Sequence, residues 1–285
     1  MFAQTDNTWY NLKEERMKEI SKKHLEKIKR MRFMDDDFMC AAFKDDPVAV
    51  REVLVPIMGR DDLIVQSVTV QDTYANLRGH SVRLDVVATD STGKLYDIEI
   101  QRADHGAAAK RARYNLGMLD SHNLAAGVDY SLLPETWIIF ITENDVLGKG
   151  LEIYHIERIV QETGDLFNDA EHIIYVNGEA KSNTDLGRLM SDFRATEASE
   201  IKSRVLANKM RALKETEEGR KNMCRILEEE RAEGRAEGRV EGRTEERLRA
   251  VLNLLSAGFN DELIRSLQYT DDEIGEGKAL LASKN

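Results

Sequence analysis

The stretch VRLDVVATDSTGKLYDIEIQ, residues 82–101, holds two alternating polar and apolar runs separated by a turn-forming triplet. Leu84, Val86 and Ala88 alternate with Arg83, Asp85 and Val87, while Tyr96, Ile98 and Ile100 alternate with Asp97, Glu99 and Gln101. Successive side chains of a strand point to opposite faces, so each run predicts a strand with one polar face. Ser91-Thr92-Gly93 predicts a three-residue loop with Gly93 in the left-handed position such loops favour, which pairs Asp90 with Lys94. The register follows: Val87 stands opposite Asp97, Asp85 opposite Glu99 and Arg83 opposite Gln101.

Directly opposed residues have Cβ atoms about 4.5–5.5 Å apart, where like charges destabilise a sheet unless something compensates them. A divalent cation is the simplest compensation for Asp85 facing Glu99. Hard oxygen ligands on paired strands suit Mg2+ or Mn2+, which keep several waters and accept phosphate oxygens. Phosphodiester hydrolysis is the chemistry this points to. Spacing alone leaves a second arrangement open, in which these acids lie on a solvated sheet face neutralised by Lys94 and Arg83.

Working outward, Asp46-Pro47 reads as an N-cap followed by proline at the first helical position, opening a short helix that Pro56 kinks or ends. LIVQSVTV (63–70) precedes the hairpin and TWIIFI (136–141) follows it, both strand-like and rich in Val and Ile. Between hairpin and TWIIFI, residues 104–127 read as a helix with Gly127 as its stop. The order helix, three strands, helix, strand predicts a mixed sheet, because a hairpin joins antiparallel strands and a crossover helix returns the chain parallel. Further strands are expected around Ile153–Ile159 and His172–Val176. Residues 1–33 hold nine Lys/Arg against five Asp/Glu, a local +4, and read as a basic helical arm. The divisions expected are thus an arm (1–33), an α/β core (34–198) and a charged helical tail (199–285).

The whole chain has 285 residues and a net charge of −11, so any nucleic-acid contact must be local. Hydrophobic residues at 41% suffice for a core and charged residues at 33% imply long solvated helical faces. Two cysteines, Cys40 and Cys224, make no secreted disulfide framework, and no CxxC pair is present for zinc or redox chemistry. With no apolar leader and no stretch near the ~20 apolar residues of a membrane span, a soluble cytoplasmic protein is expected. The six histidines show no HExxH or paired spacing, and there is no GxSxG, Walker loop or GxGxxG.

Asp85, followed 14 residues later by Glu-Ile-Gln, inside a hairpin that follows one helix and precedes a basic one, resembles the PD-(D/E)XK nuclease superfamily. DDDFMCAAFKDD (35–46), GRDDLIVQSVTVQ (59–71), the run from Ser81 to Asn115, YHIERIV (154–160), HIIYVNG (172–178) and GRLMSDFR (187–194) are similar to its bacterial nuclease family transposase branch, akin to recombination-promoting nucleases. The resemblance spans roughly residues 31–225. It implies a restriction-endonuclease-like α/β core, a mixed sheet flanked by helices, and a Mg2+- or Mn2+-dependent DNA endonuclease in which Asp85 and Glu99 match the metal-binding acids. Gln101 occupies the position usually held by Lys, and Asp85 follows Leu84 rather than proline; both depart from the superfamily pattern. An amide holds water by hydrogen bonds but does not titrate, so lowering the pKa of the attacking water falls to the metal. Lys110, Arg111 and Arg113 open the next helix as phosphate contacts, or form a solvated face paired with Asp120 or Glu99. Glu52, Asp97, Gln71 and Arg83 are lesser candidates around the site, Asp97 reading best as the exposed start of a strand. The competing class is a catalytically weak DNA-binding or assembly protein on a nuclease scaffold.

In the tail, AEGRAEGRVEGRTEER (232–247) places Glu233, Glu237, Glu241 and Glu245 on one helical stripe and Arg235, Arg239 and Arg243 on another about 200° away. Opposite charges therefore do not meet within the helix. Either the segment is a solvated spacer, or the stripes pair between two copies in a homodimer, with Val251, Leu252, Leu254, Leu255, Leu263, Ile264 and Leu267 adding apolar contacts.

Overall fold

A computed structural model describes residues 22–76, 80–102 and 104–282, with the side chains of all of these but 104, 105, 233, 237 and 241. The chain forms two compact units, Met1–Cys224 and Arg225–Asn285. The first opens with helical residues 22–30 (α1), followed by α2 (Asp36–Phe43) and α3 (Pro47–Met58). As expected, Pro47 sits at the start of α3 and the Asp46 carboxylate accepts the N–H groups of Val48 and Ala49, both at 3.0 Å. Pro56 does not end this helix. It costs one backbone bond, but Val53, Leu54 and Ile57 are buried on either side of it, and the helix runs on to Met58 before Gly59 closes it at φ 63°.

Six strands make one mixed sheet in the order β1-β2-β3-β4-β6-β5: β1 (Val65–Tyr74), β2 (Val82–Asp90), β3 (Leu95–Gln101), β4 (Thr136–Thr142), β5 (Ile153–Ile156) and β6 (Glu171–Asn177). β3, β4 and β6 are parallel neighbours, and the hairpin pairs β2 with β3 antiparallel. The crossover from β3 to β4 carries α4 (Ala109–Asn123), which ends four residues short of Gly127. Observed pairs Val86↔Ile98, Val87↔Asp97, Ala88↔Tyr96 and Thr89↔Leu95 are those the three-residue turn dictates. Gly93 takes φ 85°. Asp90 organises the turn: Oδ1 accepts Thr92 N–H at 2.8 Å and Lys94 N–H at 3.1 Å, and Oδ2 accepts the Tyr96 hydroxyl at 2.9 Å.

Both faces of the sheet are covered. In β3 every residue but Gln101 is buried, and in β4 every residue but Trp137. On one face Ala112, Leu116 and Leu119 of α4 pack onto Leu84, Val87, Ile138, Phe140 and Tyr175. Elsewhere in this unit α2, α3, α5 (Asp185–Arg194) and α6 (Arg204–Lys214) gather around Phe33, Phe38, Phe43 and Phe193, whose ring centroids lie 5.4–6.5 Å apart. The unit is wider than the core expected at 34–198. Ile28 and Met31 of the arm are buried, and so are Leu206, Ala207, Met210 and Leu213 of α6, whose apolar stripe packs onto α2 and α3. Residues 1–21 of the arm lie outside the described residues.

The second unit contains the greater part of α7 (Glu217–Ser256), with α8 (Asp261–Ser266) and α9 (Asp271–Ala282). Val251, Ile264 and Ile274 form its small core, with Leu254, Leu255 and Tyr269 against them. Several apolar residues expected to bind a second copy are thus used within the unit, while Leu263 and Leu267 stay exposed. Of the expected charge stripes, the Glu233, Glu237 and Glu241 side chains lie outside the described ones. Arg247 pairs with Glu273 of α9 at 2.5 Å. No described helix is long and apolar enough to cross a membrane.

Because Asp90 ties the turn to Tyr96, Asp90→Ala is expected to lower the unfolding free energy by about 2 kcal/mol, through one unpaired buried hydroxyl and the loss of three turn bonds, those from Thr92 N–H, the Thr92 hydroxyl and Lys94 N–H. Urea unfolding followed by circular dichroism measures it.

Candidate active site

The hairpin ladder stops at Val86↔Ile98, one pair short of the two acids. On the other side of β2 the pairing with β1 runs from Val70↔Val86 to Asp72↔Leu84 with no Gln71↔Asp85 pair, and Gln71 is left-handed at φ 53°. Asp85 therefore lies where both ladders are interrupted. Carboxylates take over from carbonyls there: Asp85 N–H donates to Glu99 Oε1 at 3.3 Å, and Ile100 N–H donates to Asp85 Oδ2 at 3.0 Å. The two acids expected to face each other are brought together, each bonded to the other's strand.

A solvated face for these acids is excluded. Asp85 is 8% exposed, and Asp97 and Glu99 are 0% exposed. Asp97, read from sequence as the exposed start of a strand, is a buried third acid; α4 covers the polar side of the hairpin that alternation alone left open. Its Oδ2 lies 3.5 Å from the Asn115 amide of α4, and its Oδ1 is buried with no hydrogen-bond partner. Asp36, at the start of α2, adds a fourth negative charge felt by both Asp85 and Glu99. Cys40, one turn on, puts its sulfur 3.4 Å from the Asp85 carbonyl oxygen and 3.3 Å from Asp36 Oδ1; burial and these acids push its thiol far up.

Arg111 answers part of this charge. Arg111 Nη2 donates to Glu99 Oε2 at 2.5 Å and Nη1 to the Gly106 carbonyl at 3.1 Å, with the guanidinium 5.8 Å from the centre of the Phe140 ring. Arg111 thus faces inward while Lys110 and Arg113, expected beside it as a set, are exposed. Helical phase separates them, for Arg111 shares its stripe with the buried Ala112, Asn115, Leu116 and Leu119. The compensation is incomplete. Burial first, then the charges of Glu99 and Asp36, push the Asp85 carboxyl up to about 8 against the pull of the Ile100 N–H and Arg111. Burial, Glu99 and Asp85 drive Asp97 well above the carboxylate range. Glu99 is raised by burial, with Arg111, the Asp85 N–H and the Gln101 side chain pulling the other way.

Residues 63–232, well over half of the chain, match the family model for PD-(D/E)XK nuclease family transposases. The chain belongs to that family. No curated protein and no solved structure matches it. A mixed six-stranded sheet flanked by helices is consistent with the PD-(D/E)XK α/β nuclease fold.

In this family member the donor set suits a hard divalent cation: two buried oxygen-bearing side chains with uncompensated charge, and an orphaned Asp97 oxygen behind them. Among the described residues no three His, Cys, Asp or Glu side chains are arranged to ligate one ion together, so Asp85 and Glu99 would hold it with water and substrate oxygens completing its shell. The other candidates fall outside the acid cluster. Glu52 accepts the Ser203 hydroxyl at 2.7 Å, Lys94 pairs with Glu135, and Arg83 is exposed.

Gly106 is a site residue that sequence reading missed. A Cβ added there would stand 1.7 Å from Gln101 Oε1, so the glycine is the space in which the amide lies. Only the side chain's flexible end has to move. Gly106→Ala is therefore expected to keep its melting temperature within about 2 °C of the parent, a shift of under ~1 kcal/mol, while displacing Gln101. For a chain that cuts DNA through Gln101, cleavage should fall as far in Gly106→Ala as in Gln101→Ala, and no further in the double variant.

The raised carboxyls also make a signed prediction. Between the usual aspartate pKa of about 3.9 and the folded value of about 8, folded Asp85 holds a proton that the unfolded chain has released. The folded state then binds more protons, so stability falls as pH rises through that window. In metal-free buffer the melting temperature is expected to drop from pH 5 to pH 8, and Asp85→Asn should make that slope shallower.

Proposed function

We propose that this protein is a Mg2+- or Mn2+-dependent DNA endonuclease, with Asp85 and Glu99 as the cation's ligands and Gln101 as the group that positions the attacking water. The observation that carries this reading is the burial of Asp85, Asp97 and Glu99 around an interrupted ladder with, among the described residues, the Arg111 guanidinium bonded to Glu99. Structural charge is seldom buried so poorly compensated, whereas an acid cluster that waits for a cation has to be. A bound divalent ion supplies Lewis acidity at the scissile phosphate and lowers the pKa of water. The chain's own residues do the rest. Asp85 and Glu99 fix the place of reaction, the Gln101 amide holds water by hydrogen bonds without titrating, and Gly106 gives that amide its room. Lys110 and Arg113, exposed at the start of α4, contact phosphates. Cys40 and Cys224 form no disulfide, which suits the cytoplasm proposed for such an enzyme.

Glu99 has to give up part of its bond to Arg111 for this chemistry, and that bond is what favours the second reading, a DNA-binding or assembly protein on the same scaffold. Supercoiled plasmid separates them. Nicking that needs Mg2+ or Mn2+, stops with EDTA and is abolished in Asp85→Ala and Glu99→Ala is the expected result, whereas DNA binding without metal-dependent cleavage favours the scaffold. A homodimer through the C-terminal helices rests on the exposed Leu263 and Leu267 and on the Arg stripe, and sedimentation of the full chain at low and high salt tests it.

A further inference from the structure

The described bonds to Glu99 differ in how readily they yield. Oε1 accepts the Asp85 N–H at 3.3 Å, a donor fixed in the backbone of the sheet, and the Gln101 side chain adds a bond that carries no charge. Oε2 accepts Arg111 Nη2 at 2.5 Å. Both carboxylate oxygens are thus engaged, and any further ligand of Glu99 has to take one of them from its present partner. The Glu99 side chain is fully buried while that of Arg111 is 37% exposed. Of the partners, the guanidinium is the one with room to move.

Its place in α4 is a poor one for a cation. Arg111 is the third residue of the helix, in the turn where unsatisfied N–H groups carry partial positive charge and an anion is favoured. That turn holds no acidic residue, Lys110 stands in it as well, and Ala108 at the N-cap offers no side-chain bond. Helix stability does not account for an arginine there, so its contacts must. Nη1 donates to the Gly106 carbonyl at 3.1 Å and the guanidinium lies 5.8 Å from the centre of the Phe140 ring, two contacts independent of Glu99. One arm of the fork is anchored on backbone, and the other rests on the acid.

A guanidinium brings one positive charge to a pair of carboxyl groups, Asp85 and Glu99, whose field Asp36 strengthens at both. Its charge-assisted bond stands where a hard cation would make a coordinate one. Both claim the same oxygen. We propose that Arg111 is a resident counter-ion that a divalent cation has to displace from Glu99, so that this guanidinium sets how tightly the acid pair holds metal. The nature of the displacing ion rests on the nuclease reading of Asp85 and Glu99; the bond and its unfavourable place in the helix do not. The consequence has a sign. Removing an arginine that merely shapes the site weakens cation binding, whereas removing one that competes for Glu99 strengthens it.

Mn2+ titrated into the full chain, with the free ion followed by its electron paramagnetic resonance signal, measures that affinity. Arg111→Met is expected to bind Mn2+ about tenfold more tightly than the parent, the scale of one charge-assisted bond lost, and Asp85→Ala is expected to abolish binding in both backgrounds. A positive charge also repels an ion without touching its ligands, so displacement is read directly in the parent. In proton–nitrogen spectra of the arginine side chains, the Arg111 signals, identified by their loss in Arg111→Lys, are expected to shift and to lose protection from solvent exchange as Mg2+ saturates the site. These spectra decide the matter even where Arg111→Met fails to fold. Arg111 signals unchanged at saturation, or Mn2+ binding by folded Arg111→Met that is equal to the parent's or weaker, would overturn the displacement; binding that still depends on Asp85 then leaves the nuclease reading standing. No Mn2+ bound by parent or variant, or binding that survives Asp85→Ala, removes the acid pair as ligands and the displacement with it.

Discussion

Burying several carboxyl groups beneath the Arg111 guanidinium is the constraint around which the first unit is arranged. Asp85, Asp97 and Glu99 come from one hairpin, Asp36 from a helix that precedes it, and Arg111 brings opposite charge to the same volume. Such an arrangement is unfavourable in isolation, because desolvated charge must be paired or neutralised. The surroundings make it tolerable. Apolar residues of β3 and β4 are buried on both sides of the sheet, and four phenylalanines pack together beside α2. Conformational stress is stored at the same place, since left-handed Gln71 lies where the pairing of β1 with Asp85 is missing.

Arg111 ties this electrostatic problem to the chemistry. While it holds Glu99, the acids are stabilised and the second oxygen of Glu99 is engaged. On the nuclease reading proposed above, a cation held by Asp85 and Glu99 would remove the need for that bond and leave Arg111, 37% exposed, for a phosphate. Stability without metal and readiness for substrate would then depend on the same guanidinium, a trade in which a functional site gives up some stability.

The hairpin was legible because its information is local. Ser91-Thr92-Gly93 sets the register through turn geometry, and that register carries Asp85 to Glu99 without reference to the rest of the chain. What sequence could not supply was what lies on the far side. Alternation in 95–101 looks the same whether the polar face meets water or α4, so Asp97 read as exposed although it is buried. Arg111 stood among Lys110 and Arg113 as one of three equivalent cations until the phase of α4 was fixed by Ala112, Leu116 and Leu119. Asp36 enters from 49 positions upstream of Asp85 with no periodicity to announce it, and Gly106 reveals its purpose only through the Gln101 side chain it admits. Pro56 shows the converse, a local signal for a helix end that the buried residues on either side of it override.

The interrupted ladder has a spectroscopic consequence. In an ordinary hairpin the amide protons of facing residues are held by carbonyl oxygens, which are indifferent to pH and to added ions. Here the amides of Asp85 and Ile100 are held by the carboxylates of Glu99 and Asp85, groups whose ionisation changes with pH and which a bound cation would ligate on the reading proposed above. Those two backbone N–H groups are built-in reporters. Their chemical shifts and their protection from exchange with solvent follow the state of the acids from within, with no label attached to the site.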